Sequence, residues 1–355
     1  MSLDQMHTKP RSLAERRFAN CVAFLDTRKT NFQNMLDIVA REIEGLEHML
    51  LTSSAVHGLA NSTSDIDTIC VVDGADLKAR TATQFFDGDN HFETIIFSKS
   101  EVAQELERLR EAANGTAAEA FAAYKGWNKH GPMNRKYLER LVNGVTADGT
   151  SPFLAHLETL GPLWRAASLG HAIMAASCMT LSNRSAQGRA AVGYGLNALL
   201  FGMDAVMSHH GQVYSNKKWY RLRFSRFVSA GPVMETFRPF VEQIADLWGG
   251  LMFALREGTT PQEIFAGIND IVLRIDAAMG TEMRNGAAWQ EEARTVTKAF
   301  LPGSHVCVSA NRNALFMNGP IKQVAVGEET ELGPDEAQNT LRAIRGGVLS
   351  IRFSE

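Results

Sequence analysis

Two aspartates one residue apart, Asp65 and Asp67, stand at the head of an apolar run in "SSAVHGLANSTSDIDTICVV", residues 53–72. Side chains along a strand alternate between faces, so residues i and i+2 share one. Two carboxylates held that close repel each other unless a cation lies between them. Oxygen-only ligands on a rigid strand suit Mg2+, which keeps its other positions for water and substrate phosphate. The pair therefore predicts phosphate chemistry. Upstream, Ser53 and Ser54 end a preceding strand, and Gly58 follows in a short segment able to offer backbone N–H groups and hydroxyls to an anion. A metal-holding pair beside a phosphate cradle is what phosphoryl and nucleotidyl transfer require, because both depend on positioning and charge neutralisation. Glu93, the acidic residue inside the next strand-like run "HFETIIF", is expected to serve as third metal ligand or as the base that takes the acceptor's proton.

These residues resemble the signature of the nucleotidyltransferase superfamily that includes DNA polymerase beta, in particular its small-molecule and minimal branch. Ser54 matches the signature serine, Gly58 the following glycine, and Ser64-Asp65-Ile66-Asp67 the metal motif; Ser53 stands where the signature has its first glycine. The specific part of the resemblance covers roughly residues 30–100. Further on, "LERLVNGVTADG" is similar to the stretch leading into the second domain of aminoglycoside-modifying members. "YSNKKWYRLRF" is similar to a lysine-tryptophan helix in several of those relatives. The resemblance implies two Mg2+ ions on Asp65, Asp67 and Glu93, with Ser53, Ser54, Gly58 and Ser64 around the outer phosphates and Lys218, or Lys217 in its place, on the triphosphate. It also implies ATP, or another NTP, as co-substrate. The expected reaction moves a nucleoside monophosphate to a hydroxyl, amine or phosphate with release of pyrophosphate. A small-molecule acceptor fits best; a peptide, protein or tRNA acceptor and a non-catalytic nucleotide-binding module are the alternatives.

Other candidates carry plainer readings. Lys217, Lys218, Arg221, Arg223 and Arg226 form either a triphosphate-facing helix or a solvated face around buried Trp219, Leu222 and Phe227. His209 and His210 are adjacent on a helix, point in different directions, and read as structural or surface residues. His57 reads as a loop histidine, and the methionines as core filler.

The elements that must position these groups follow from hydrophobic spacing. Residues from about Leu13 to Glu47 carry two helical stripes, and "EHMLLTSS", "DIDTICVV" and "HFETIIFS" read as three strands of one mixed sheet. Ser98 to Glu101 form a capping box that opens a helix through Arg110. From Ser151 onward the pattern is helical, with N-cap plus Pro starts at Ser151-Pro152 and Thr260-Pro261 and helices near 162–182, 187–209, 217–229 and 232–256. After Pro302, alternation returns, with an Asn-Gly turn at 318–319 and a helix near Pro334. The expected fold class is α+β: a nucleotidyltransferase fold, a short mixed sheet with helices, followed by a helical bundle and a small C-terminal α+β unit. The expected divisions are an N-terminal helical extension (1–29), a catalytic domain (30–148), a helical substrate- and nucleotide-contacting domain (149–300) and the C-terminal unit (301–355).

Composition sets the outer limits. The 355 residues carry 45% hydrophobic and 21% charged side chains, which excludes a disordered chain and a charge-rich coiled coil. A formal charge of -3 gives no global basic field for nucleic acid or anionic membrane. Cys21, Cys70, Cys178 and Cys307 show no C-x-x-C pairing and read as buried thiols. The polar first residues lack the apolar stretch of a signal peptide, and the uncharged segment 166–183 reads as a buried helix because it is rich in Ala, Ser, Thr, Gly and Asn. No membrane partner and a cytoplasmic location are the expectations.

Overall fold

A computed structural model describes residues 12–74, 83–230, 237–258, 262–281, 287–291, 306–308, 313–316, 322–325, 328–331, 333–345 and 349–353. The fold is α+β and mostly helical, with a small mixed four-stranded sheet. The chain divides into two compact units, residues 1–111 with 127–160 and residues 112–126 with 161–355.

In the first unit, Ser12 and Glu15 form a capping box that starts α1 (Leu13–Thr27), and the Asn31 side chain caps α2 (Phe32–Glu42). After β1 (Leu46–Leu51) come the single turn α3 (Ser53–Val56), then β2 (Ile66–Val72), β3 (Thr83–Asp87) and β4 (Asn90–Ser98). The strand order is β1-β2-β4-β3. β2 runs antiparallel to β1 and parallel to β4, and β3 closes the edge antiparallel to β4. Strand β3 is an addition to the three expected from hydrophobic runs. The segment 13–47 holds two helices as its stripes require, but the second stops at Glu42 and a turn leads into β1. Cys21, Phe24 and Leu25 of α1 are buried in one cluster with Met35 and Val39 of α2, Met49 and Leu51 of β1, Ile66 and Cys70 of β2 and Phe92 of β4. Helix α1 is thus part of the sheet's own core.

Ser98 and Glu101 make both arms of the expected capping box, at 2.9 and 3.2 Å, at the start of α4 (Lys99–Ala113). α5 (Ala117–Gly126) falls in the second unit, and α6 (Arg135–Asn143) returns to the first. Directly after α6, Val145 pairs with Leu51 at the end of β1 through reciprocal backbone bonds of 2.8 and 3.0 Å. The helix expected from Ser151-Pro152 begins later: a 3-10 turn at Leu154–His156 precedes α7 (Leu157–Arg184).

In the second unit α8 (Gly188–His209) packs against α9 (Tyr220–Ala230), α10 (Arg238–Glu257) and α11 (Gln262–Met279). Among the described residues, α8 is the one helix long and apolar enough to cross a membrane by length and composition, and 61% of that stretch is buried inside the protein. The segment 166–183 lies within α7. The basic segment turns its face differently from the expected one. Tyr220, Arg223 and Phe224 are buried, while Leu222 is 40% exposed. Arg223 lies 3.1 Å from the fully buried Asp204, to which the Ser168 hydroxyl also donates at 2.6 Å. Burial raises the Asp204 carboxyl, against the opposing pull of Arg223. The C-terminal strands β5 (Ala287–Glu291), β6 (Val306–Val308), β7 (Asn313–Phe316), β8 (Lys322–Ala325) and β9 (Glu328–Glu331) precede α12 (Pro334–Arg345) and β10 (Leu349–Phe353). β10 pairs with β5, a strand where helical pattern is expected, and β6 to β9 form an antiparallel sheet. The Thr260-Pro261 start and the 318–319 turn lie outside the described residues.

Burial pushes the Cys21 and Cys70 thiols up to about 12 and that of Cys178 to about 11, so all three behave as inert core residues, as expected. The side chain of Cys307 lies outside the description. His209 and His210 are half-buried against Phe237, with Phe227 beside His210 and Arg165 Nη1 3.0 Å from His209 Nδ1. Burial lowers both imidazoles, and Arg165 adds to the effect at His209. A histidine harder to protonate in the folded state leaves the unfolded chain binding more protons, so stability is full above the unfolded value of about 6.5 and declines as pH falls through it. Thermal melts between pH 7.5 and 5.5 are expected to show a falling Tm, with a shallower slope in His210→Phe; an unchanged slope in that variant would remove His210 from the account.

Candidate active site

The site is built around the C-terminal end of β1. Thr52 donates both its backbone N–H, at 2.9 Å, and its hydroxyl, at 3.0 Å, to the Asp67 carbonyl. This pair of hydrogen bonds fixes the following residue, Ser53, beside Asp67. Ser53 is 7% exposed and sits at φ 62°, in the left-handed region. An L side chain there costs about 1–2 kcal/mol, whereas glycine adopts the conformation freely. The position where the signature has glycine is therefore one whose backbone asks for glycine. Ser53→Gly is expected to raise stability by about 1 kcal/mol in chemical denaturation, the strain relief exceeding the extra entropy lost by glycine; a destabilised variant would show that the hydroxyl holds the turn.

Beyond Ser53, the Ser54 carbonyl accepts from the backbone N–H groups of Leu59 and Ala60, closing the turn that contains Gly58. Gly58 lies at φ 64° with Asn20 of α1 3.0 Å from where a Cβ would stand, and Asn20 donates to the Val56 carbonyl at 3.0 Å. Ser64 is bound into the next turn, its hydroxyl accepting from Asn61 N–H at 3.1 Å and lying 3.1 Å from Asn61 Oδ1.

Asp65 immediately precedes β2 and Asp67 lies within it, so the two carboxylates have different surroundings. The Asp65 side chain is 58% exposed and lies 3.0 Å from His91 Nδ1. His91 in turn stacks against Phe86 of β3, with ring centroids 4.7 Å apart. Asp67 is 12% exposed and its Oδ1 lies 3.2 Å from Nη1 of Arg140, itself 7% exposed. Glu93 is the register partner of Asp67 across the parallel β2–β4 pairing and shares its face, as alternation along the strands requires. Asp65, Asp67, His91 and Glu93 thus line one face of the sheet. Arg28, which caps α1, spans the loops that flank this face. It donates to the Asn90 side chain at 3.0 Å and to the carbonyls of Asp89, at 2.7 Å, and Ser62.

Sequence spacing placed Asp65, Asp67 and Glu93 together but missed Arg140, His91 and Arg28. The polar residues of α6 could have drawn attention: Glu139, Arg140 and Asn143 are all buried, which is unusual for such side chains. The chemistry of Asp65 and Asp67 fits Mg2+ of the kind held by one or two carboxylates together with substrate phosphate. No group of three or more His, Cys, Asp or Glu side chains is gathered closely enough to hold a metal ion among the described residues.

Lys218 belongs to the second unit. It lies in a 3-10 turn, Lys217–Trp219, with its Nζ 5.0 Å from the Trp219 ring centroid, while Lys217 Nζ lies 4.2 Å over Phe201.

The chain is similar to a nucleotidyltransferase-like protein from Exiguobacterium sibiricum 255-15, known from its crystal structure, with 10% identity and a TM-score of 0.27 over 71% of this chain and 74% of that one. No curated protein matches it. Residues 8–355 match the family described as Family of unknown function (DUF6001), and the chain belongs to that family.

Proposed function

We propose that the first unit is the catalytic part of a Mg2+-dependent nucleotidyltransferase. The observation that carries this reading is the placement of Asp67 opposite Glu93 on one sheet face, with Asp65 two residues from Asp67 and the left-handed Ser53 turn fixed to the Asp67 carbonyl. Asp65 and Asp67 would hold the metal, with Glu93 as a further ligand or as base. Mg2+ bound there would supply charge neutralisation of the triphosphate. Ser53, Ser54, Gly58 and Ser64 would border the outer phosphates.

The acceptor, a hydroxyl, amine or phosphate, attacks the α-phosphorus of ATP or another NTP; the bond to the pyrophosphate oxygen breaks, and the acceptor's proton passes to Glu93 or solvent. A small-molecule acceptor is the first choice, because the chain's charge gives no broad basic field; a peptide, protein or tRNA acceptor is the alternative. A second reading rests on the Asp67–Arg140 ion pair. A carboxylate neutralised by an internal guanidinium needs no metal for charge balance, and the unit would then bind nucleotide without turnover.

One experiment separates these readings. The protein is incubated with Mg2+ and each radiolabelled NTP against aminoglycosides, total tRNA and cell-extract protein, with pyrophosphate release and label transfer followed together. Metal-dependent release supports transfer, and the labelled fraction identifies the acceptor class. Tight NTP binding with neither release nor label supports the binding module.

A further inference from the structure

Arg140 is a buried cation aimed at the acidic face. It is buried, and its Nη1 reaches Asp67 Oδ1 at 3.2 Å yet makes no hydrogen bond there. Its place is enforced by the backbone. The chain leaves α6 through Gly144 directly into the Val145–Leu51 bridge, so the last turn of α6 lies beside the strand end that Thr52 fastens to Asp67. A buried guanidinium with an unfilled donor is costly to maintain, and it is satisfied when an anion supplies the missing acceptor. Planar, many-donor guanidinium groups bind phosphate oxygens in two-pronged fashion.

We propose that Arg140 is a nucleotide-phosphate ligand held in reserve by Asp67: in the metal-free protein it neutralises Asp67, and when a divalent cation takes that carboxylate, the guanidinium binds a phosphate oxygen of the nucleotide. This rests on the nucleotidyltransferase reading of the same face. It requires the metal and Arg140 to compete for Asp67 while metal and phosphate binding reinforce each other.

The consequences have opposite signs, which a purely structural arginine would not produce. In Arg140→Met, binding of Mn2+ alone, followed by electron paramagnetic resonance, should strengthen about tenfold, because a charged competitor is removed. In the same variant, tripolyphosphate binding in the presence of Mn2+ should weaken about tenfold. Asp67→Asn gives an independent arm in which the guanidinium stays. In metal-free buffer it should bind tripolyphosphate about tenfold more tightly than the native protein, by calorimetry, whereas Asp65→Asn, with the same charge change beside His91, should gain clearly less.

Equal gains in the two Asn variants would reduce the effect to net charge and overturn the proposal. So would Mn2+ and tripolyphosphate affinities in Arg140→Met that stay unchanged or fall together. If Arg140→Met does not fold, the two Asn variants decide. Native protein that binds Mn2+ and releases pyrophosphate, while the variants show none of these shifts, would overturn the Arg140 role alone. Native protein that binds neither Mn2+ nor tripolyphosphate would overturn the enzymatic reading with it.

Discussion

On the proposed nucleotidyltransferase reading, Asp67→Asn is expected to lower pyrophosphate release by about a thousandfold or more, with the fold retained. A metal-coordinating carboxylate supports several kcal/mol of charge stabilisation in the transition state, and each 1.4 kcal/mol or so is tenfold in rate. Asparagine keeps the shape of the side chain, so circular dichroism should be unchanged. The loss of the charged partner of a buried guanidinium should cost about 1–3 kcal/mol in chemical denaturation. Because Asp67 is 12% exposed and Asp65 is 58% exposed, the stability cost should be larger at Asp67 than in Asp65→Asn. Full pyrophosphate release by the Asp67→Asn protein would sink the assignment of this face as the catalytic centre.

The second large effect belongs to the other unit. Arg223→Met removes the cation beside Asp204, a fully buried carboxylate, and is expected to cost about 3–5 kcal/mol, roughly 10 °C in Tm for a unit of this size. The remaining Asp204 is then either an unpaired buried charge or a protonated acid, and its folded-state carboxyl, already raised by burial, moves up further. Stability in the variant should therefore fall as pH rises through that raised value, since the folded state binds the extra proton. Asp204→Leu combined with Arg223→Met should recover much of the loss, because an apolar pair of similar volume leaves nothing to neutralise. Urea denaturation of the two variants checks both statements; a double variant no better than the single one would mean that the Arg223 bonds to the carbonyls of Gln212 and Tyr214, rather than its charge, fix this corner.

The elements legible in the sequence were those whose apolar residues repeat at the spacing of the structure. The stripes of α1 and α2, the runs of β1, β2 and β4, and the Ser98–Glu101 box all report burial or capping that is local in sequence. Strand β3 did not announce itself because it is an edge strand with Phe86 72% exposed, so burial on alternate faces does not govern its composition. Helix α6 escaped the reading although Leu138, Leu141 and Val142 repeat at helical spacing; what no local pattern records is that its buried residues also include Glu139, Arg140 and Asn143. At α9 the basic residues drew the helix phase the wrong way. Arg223 belongs to the core because Asp204 lies opposite it, and no local pattern records a partner on another helix. The candidate site shows the same division. Asp65, Asp67 and Glu93 follow from strand alternation, whereas the Asp67–Arg140 and Asp65–His91 contacts depend on how β2 meets α6 and β4.

Arg28 bears on motion. One side chain, seated at the end of α1, holds the Ser62 carbonyl of the loop entering β2 and both Asp89 and Asn90 of the β3–β4 hairpin. Two loops that could each fluctuate independently on the nanosecond-to-microsecond scale are thereby joined to a helix and to each other. Their displacements become a single correlated swing, and whatever shifts the end of α1 moves both loops at once.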